Sequence, residues 1–515
     1  LKFPAVRPAV WVADVGQHLV PIPFNAALGQ INVRDVTVPG YPVRLTVPVR
    51  NESDAPRQIA VRLSIDGQRM AEHQRELAVP ARAVDQVSFE LRLREAGTHL
   101  VTAELSTADD SIATDNTAHA AIHVAPPVPV LLINGTSSAD PLDTETFFAA
   151  LALSPPGTEP PWVDAITRDA ADVTIADMDR ADVIVLADVT DLPAESVTML
   201  PEAIRAGKGL LISCGGNTTR QTFGRLFRDT DLLPQVVPDA PQDAPDVPDQ
   251  FVRIDPATLQ AGWLADRFKS TPEAGLLSVS FHRWWKLQPR VAPTSPAAQP
   301  DDQNSAERTP LVTLATLTNG DPLLLQTGLG QGQILLLTST ISRDWNELPL
   351  NGDFVPFLHE AIFSIARPAL PRNIPAGSPL FLPSPASPER AGAAVATADD
   401  DRDQRNGGLV GQSGSSLVDS YRFRFPDDRV IVPEAAGTTE HPLLSTRGTF
   451  LPGVVKLQAA ELDAAAPALP VPPLDLAVIN YDHREDQMQE LTPADYETLS
   501  SDQRVRFVKS MDELS

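Results

Sequence analysis

The chain has 515 residues, too many for one hydrophobic core, and a prior of roughly 100 to 200 residues per domain divides it into three or four units. Its 67 acidic against 41 basic residues give a net charge of −26 with no Lys/Arg-rich stripe, which excludes a phosphate-binding surface for nucleic acid and reads as solubility through mutual repulsion. Hydrophobic residues make up 42% but aromatic ones only 5%, so Val, Leu, Ile and Ala fill the cores, and no apolar run approaches the roughly 18 to 20 residues that span a bilayer.

Residues 1–30 read as an N-terminal extension. They open at Leu1-Lys2-Phe3-Pro4 without initiator Met or signal peptide, as in a fragment whose targeting segments lie outside it. From 31 to 127 short segments alternate apolar with polar residues, as in Val43 to Asn51, Ile59 to Ile65 and Val87 to Leu93. Period two marks strands with one buried face, and Asp66-Gly67 is a two-residue hairpin signal, so an immunoglobulin-like β-sandwich is expected. Pro126-Pro127-Val128-Pro129 closes this module.

Residues 128–369 then alternate continuous apolar runs with helical patterns. Strands are predicted at Val130 to Ile133, Val163 to Ile166, Ala181 to Ala187 and Gly209 to Cys214, with helices over Asp143 to Leu153, Pro193 to Ala206 and Phe354 to Ala366. This order predicts a flavodoxin-like, doubly wound parallel sheet. A partly ordered insertion is expected at about 234–310, where Pro238 to Asp249 and Pro293 to Pro310 are too proline-rich and polar to pack. Gly328-Leu329-Gly330-Gln331-Gly332 joins strand to strand and lacks the Lys-Ser/Thr pair and helix start of a phosphate loop. A second β-sandwich-like domain is expected over 370–482, with Asp399-Asp400-Asp401 in a long polar loop, and a polar tail with two short helical stretches over 483–515.

Cys214 is the single cysteine, at a strand-to-glycine turn where a hydrolase or amidotransferase holds its nucleophile. A thiolate needs a base and an orienting group, and of nine histidines only His282 and His359 fall in the α/β unit, so the sharp hypothesis is a Cys214, His359, Glu360 triad. His359 stands in an amphipathic helix, where packing is its default role. His119 and His123 are four residues apart on a strand, too far apart for one metal, and no motif specifies a metal or cofactor. Trp284 and Trp285 form an aromatic patch that reads either as sheet-edge packing or as a ligand-stacking platform.

The runs ADVIVLADVTDLPAESVTMLPEAIRAGKGLLISCGGN and GDPLLLQTGLGQGQILLLTSTISRDWNELPLNGDFVPFLHE contain Gly330-Gln331-Gly332, Asp344-Trp345-Asn346 and Phe354-Val355-Pro356. They resemble the class I glutamine amidotransferase-like domain of bacterial membrane-anchored proteins related to the aerotolerance (Bat) family. The resemblance covers four fifths of the chain and implies an extracytoplasmic region with sandwiches flanking that domain, a membrane helix beyond Ser515 and unidentified protein partners. In true amidotransferases the nucleophile turn reads Gly-x-Cys-x-Gly; here Ile212 replaces the first Gly and no His-Pro-Glu is present. The expected function is therefore a non-enzymatic interaction or scaffold region with a catalytically inactive domain. The alternatives are a thiol-dependent amidase or glutamine amidotransferase using Cys214, and a carbohydrate-binding module using Trp284 and Trp285.

Overall fold

The structure is a computed structural model that describes residues 10–13, 25–33, 37–106, 110, 113–155, 157, 161–247, 251–260, 262–269, 275–288, 308–366, 370–385, 418–437, 442–460, 473–481, 494, 497–498 and 505–508. Strand Val10–Ala13 pairs in parallel with strand Val505–Val508, so the predicted extension and tail share a ladder. The predicted helical stretches of the tail, and Asp399-Asp400-Asp401, lie largely or wholly outside the described residues.

The first module is a β-sandwich. One sheet contains Ala26–Leu28, Asn32–Val33, Pro42–Asn51 and Val84–Arg92; the other contains Arg57–Ile65, Gln68–Val79, Gly97–Ser106 and Thr117–Val124. Val43, Leu45, Val47 and Val49 alternate inward and meet Ile59, Val61 and Leu63 from the facing sheet, all at most 1% exposed. This is the outcome that period-two patterning dictates.

The central unit carries a seven-stranded sheet in the order Val163–Asp169, Val128–Asn134, Val183–Ala187, Gly209–Ser213, Gly332–Leu337, Pro322–Leu329, Val312–Thr316. The first five run parallel; Pro322–Leu329 runs against them, and Val312–Thr316, antiparallel to Pro322–Leu329, points the same way as the first five. The expected flavodoxin-like parallel sheet flanked by immunoglobulin-like domains is therefore corrected. The sheet is mixed, and among the described residues strand outweighs helix and is spread over several separate sheets. The physical cause lies in the connections: parallel neighbours need a long crossover, whereas Gly330-Gln331 returns the chain in two residues. Gly330 takes a φ of +60°, and a Cβ there would come within 2.6 Å of the Arg205 carbonyl oxygen, so the turn requires glycine.

Helices cover both faces. Met178 from Ile175–Arg180 and Leu200 and Ile204 from Ala194–Arg205 pack with Leu210 and Ile212 on one face. Helices Phe147–Leu153 and Phe354–Ile365 pack with Leu211 on the other. Within the insertion, Val237–Asp243 forms an antiparallel ribbon with Arg283–Gln288, where the sequence predicted an unpacked stretch. Pro238 and Pro241 are tolerated because Val237–Asp243 is the outer strand of the ribbon, and the register shifts between them.

The C-terminal module is a second sandwich. A five-stranded sheet (Asn373–Pro375, Asp475–Asn480, Gly453–Ala459, Tyr421–Arg424, Val430–Ile431) faces a three-stranded one (Leu380–Pro383, Pro442–Thr446, Glu434–Gly437). Phe423, Val455 and Leu457 meet Leu380, Leu382 and Leu444 between them. Among the described residues no helix is long and apolar enough to cross a membrane.

Polar contacts brace the modules. The Tyr41 hydroxyl of the first sandwich donates to Glu360 of the last central helix at 2.8 Å. The Asn373 side chain pairs with both main-chain groups of Ala121, accepting from its N–H at 2.7 Å and donating to its carbonyl at 2.8 Å, as a neighbouring strand would. Arg372, 4% exposed, forms a bidentate pair with Asp475, and Thr98 of the first sandwich donates to the same carboxylate at 2.5 Å.

Candidate functional site

The carboxyl edge of a parallel sheet is where such a fold assembles chemistry, because strand ends, helix starts and glycine turns converge there. Strand Gly209–Ser213 is buried throughout and delivers Ser213 and Cys214 to this edge on opposite faces. Ser213 Oγ donates to the Ser339 carbonyl and accepts from the Ile341 N–H, both at 3.0 Å, locking the neighbouring turn. Cys214 turns to the other face among Ile212, Phe223 and Trp285 and is 1% exposed. Burial, reinforced by the Asp188 charge, drives its thiol well above the ordinary range against a weaker opposing hydrogen bond with Thr218. Trp285 Nε1 donates to the Gly215 carbonyl at 3.1 Å and closes the turn from above.

Asp188 organises the loop after Cys214. It takes a φ of +49°, a conformation that Asp tolerates better than most side chains. Its carboxylate accepts from Asn217 N at 2.7 Å and from the Thr218 N–H and hydroxyl at 2.9 and 2.8 Å. Burial raises its pKa while these hydrogen bonds pull it down. Its oxygens are thus committed to holding residues 215–218 and not to acting on the thiol.

The structure does not bring the sequence-predicted triad together. His359 lies on helix Phe354–Ile365, on the sheet face opposite Cys214. A Cβ at Gly209 would fall 2.4 Å from the Ile365 carbonyl oxygen, so the helix ends against the amino end of the very strand whose carboxyl end bears the thiol. The His359 ring is packed 5.1 Å from Trp162 and 6.2 Å from Tyr41 and hydrogen-bonds the Val355 carbonyl through Nδ1 at 2.9 Å. Burial holds its pKa below the usual imidazole value. Glu360, 3% exposed, receives the Tyr41 hydroxyl instead of orienting a base.

The stacking reading of Trp284 and Trp285 is also corrected. The rings are 2% and 6% exposed, belong to cores on opposite sides of the sheet, and have their indole N–H groups committed to Asp321 and Gly215. Alternation along strand Arg283–Gln288 turns one ring each way, so neither offers a face to a sugar. His119 and His123 point their Nδ1 atoms at Thr102 and Thr98, each at 3.0 Å. Among the described residues no three His, Cys, Asp or Glu side chains are placed to hold a metal.

Sequence reasoning missed Glu145. It precedes helix Phe147–Leu153, is 6% exposed, and has one carboxyl oxygen, Oε2, without a hydrogen-bond partner. Its backbone N–H donates to Asn134 Oδ1 at 3.1 Å. Burial, with the nearby charges of Asp188 and Asp344, raises its carboxyl to about 7 despite a hydrogen bond with Ser342. The sequence signal was faint: an acid at the start of a helix ordinarily faces solvent and complements the helix dipole.

No family model matches this chain, and neither does any curated protein sequence. Solved structures resemble parts of it. The CARDB domain of a Pyrococcus furiosus protein, solved in complex with di-metal ions, is 15% identical, covers 21% of this chain and 97% of its own length, and superposes with a TM-score of 0.19. A β-glucosidase from Listeria innocua is 14% identical over 20% of this chain and 16% of its own, with a TM-score of 0.16. An exo-β-1,4-mannosidase from Opitutaceae bacterium strain TAV5 is 13% identical over 42% and 32%, with a TM-score of 0.24. This chain therefore spans less than a third of either glycosidase, and at such scores none of the three bears on its chemistry.

Proposed function

We propose that this chain is a non-enzymatic interaction or scaffold region, extracytoplasmic, belonging to a membrane-anchored bacterial protein. The observation that carries the reading is the separation of Cys214 from His359 by the sheet itself, with both side chains buried. A nucleophile needs its base within hydrogen-bond reach, and a thiol whose pKa is driven up by burial is a poor nucleophile. Two β-sandwiches braced against the central unit supply surface without chemistry, which suits contact with other proteins. The anchor and the compartment rest on the resemblance of residues 181–217 and 321–363 to the aerotolerance-related proteins.

Cross-linking of the intact chain in membrane preparations, followed by identification of captured proteins, tests this reading. The expected result is a reproducible partner whose capture is unchanged by Cys214→Ala. Release of ammonia from glutamine that disappears in Cys214→Ala would replace the reading with an amidase.

A further inference from the structure

The two edge strands of the central sheet are treated differently. Along Val312–Thr316 the Gln260 and Asp255 N–H groups donate to the Leu314 and Thr316 carbonyls at 3.2 and 2.9 Å, so that edge is covered. Strand Val163–Asp169, at the other end of the sheet, pairs among the described residues only with Val128–Asn134. Its register with that strand, and the Val128 N–H donating to the Trp162 carbonyl at 3.2 Å, turn the main-chain groups of residues 164, 166 and 168 inward. Those of Ala165 and Thr167 therefore point out of the sheet. Among the described residues they meet only the Arg168 guanidinium, which donates to the Thr167 carbonyl at 3.1 Å. A bare edge of this kind is a template for another strand.

The side-chain pattern selects the occupant. Asp164, Ile166 and Arg168 share one face of the strand, with the acid and the base spaced evenly about Ile166. If a second copy adds antiparallel about a two-fold axis at Ile166, Ala165 and the partner's Thr167 exchange main-chain hydrogen bonds on both sides of that axis. Ile166 then faces its own counterpart, Asp164 faces the partner's Arg168, and Arg168 faces the partner's Asp164. These are the non-hydrogen-bonded positions, where opposed side chains approach most closely. Moving the axis by one residue either way sets Asp164 or Arg168 against Ile166 and loses both ion pairs. The side chains of Asp164 and Arg168 are 54% and 40% exposed, and their pairs within the chain, to Arg180 at 2.9 Å and Asp177 at 3.1 Å, are surface pairs that hold them weakly.

We propose that Val163–Asp169 is a self-association edge, along which a second copy of this chain pairs antiparallel about Ile166 and joins the two central sheets into one. Charges on an edge strand commonly keep other strands away. Here their spacing favours one register with a second copy over its neighbours. As a partner assignment the proposal rests on the interaction reading above, and the two fail separately: a chain that stays monomeric overturns the self-association, whereas capture of other proteins decides that reading.

Sedimentation equilibrium of the intact chain over roughly 1–200 µM, where small transient interfaces titrate, is expected to show monomer passing into dimer. Asp164→Arg opposes two cations at each symmetric pair, and Arg168→Asp opposes two anions, so each variant is expected to dimerise about tenfold more weakly or worse. An equimolar mixture of the two variants restores acid against base at both pairs. It is expected to recover a heterodimer at wild-type affinity, read with a mass label on one chain. A chain monomeric over the whole range, a dimer indifferent to both single variants, or a mixture no tighter than either variant alone each overturns the proposal. Should a single variant fail to fold, the chain carrying both Asp164→Arg and Arg168→Asp decides. It is expected to pair with itself and not with wild type, and free exchange between those two chains would overturn the self-association.

Discussion

At Cys214 and Glu145 burial has opposite chemical consequences for two acids at the same sheet edge. The thiol is ordinarily neutral at pH 7, so burial only strengthens its default state and silences it. Iodoacetamide at pH 8 should therefore modify native Cys214 on the order of 100-fold more slowly than the urea-unfolded chain, as followed by intact mass. For the carboxyl, burial reverses the default. A group whose folded-state pKa rises from 4.5 to about 7 stabilises the fold fully below the unfolded value, and this contribution is lost as pH climbs through 7. Glu145→Gln should consequently match wild type near pH 4 and exceed it by about 3 kcal/mol above pH 8, read from urea unfolding of the central unit. A pH-independent difference between the two would remove burial of the charge as the cause.

The helix Phe354–Ile365 does two jobs at the scale of an element. Its apolar side covers the central sheet, while Glu360 reaches out of it to the Tyr41 hydroxyl. Tyr41→Phe should cost about 1–2 kcal/mol, and a double-mutant cycle with Glu360→Gln should show the two changes to be non-additive; additivity would mean that the hydrogen bond contributes nothing. This contact also marks where sequence reading stops. Strands such as Pro42–Asn51, with its alternation, and Gly209–Ser213, with its continuous apolar run, were legible because these patterns are local and report burial directly. The reversed direction of strand Pro322–Leu329 in the central sheet was written in the two-residue Gly330-Gln331 turn, yet the alternation of strands and helices before it pointed to an all-parallel sheet. The Tyr41 to Glu360 pair joins residues 319 apart, and no local pattern signals it. Glu145 was illegible for the same reason: the three segments that bury it are distant in sequence and only the fold brings them together.

For the whole molecule, the junction of the two sandwiches sets a buried ion pair beside an apolar cluster of Ala121, Leu476 and Val478. Arg372 and Asp475 are 4% and 11% exposed at their side chains, and Thr98 extends the pair into the first module. Breaking a buried pair strands a charge, so Arg372→Met should cost about 3–5 kcal/mol, and adding Asp475→Leu should recover much of it. Urea midpoints would check both steps; a double variant as unstable as the single one would assign the loss to packing. Thr98→Val should cost less, since it leaves the ion pair intact.

The parallel pairing of Val10–Ala13 with Val505–Val508 also determines how the protein bears load. In a parallel pair the leading end of one strand and the trailing end of the other lie at opposite ends of the ladder, so tension applied through the two termini pulls the strands lengthwise past each other. All the rungs are then strained together instead of opening one after another like a zip. A chain tethered at one end and tugged at the other would meet its mechanical resistance first at this clasp, before any of the three modules felt the force.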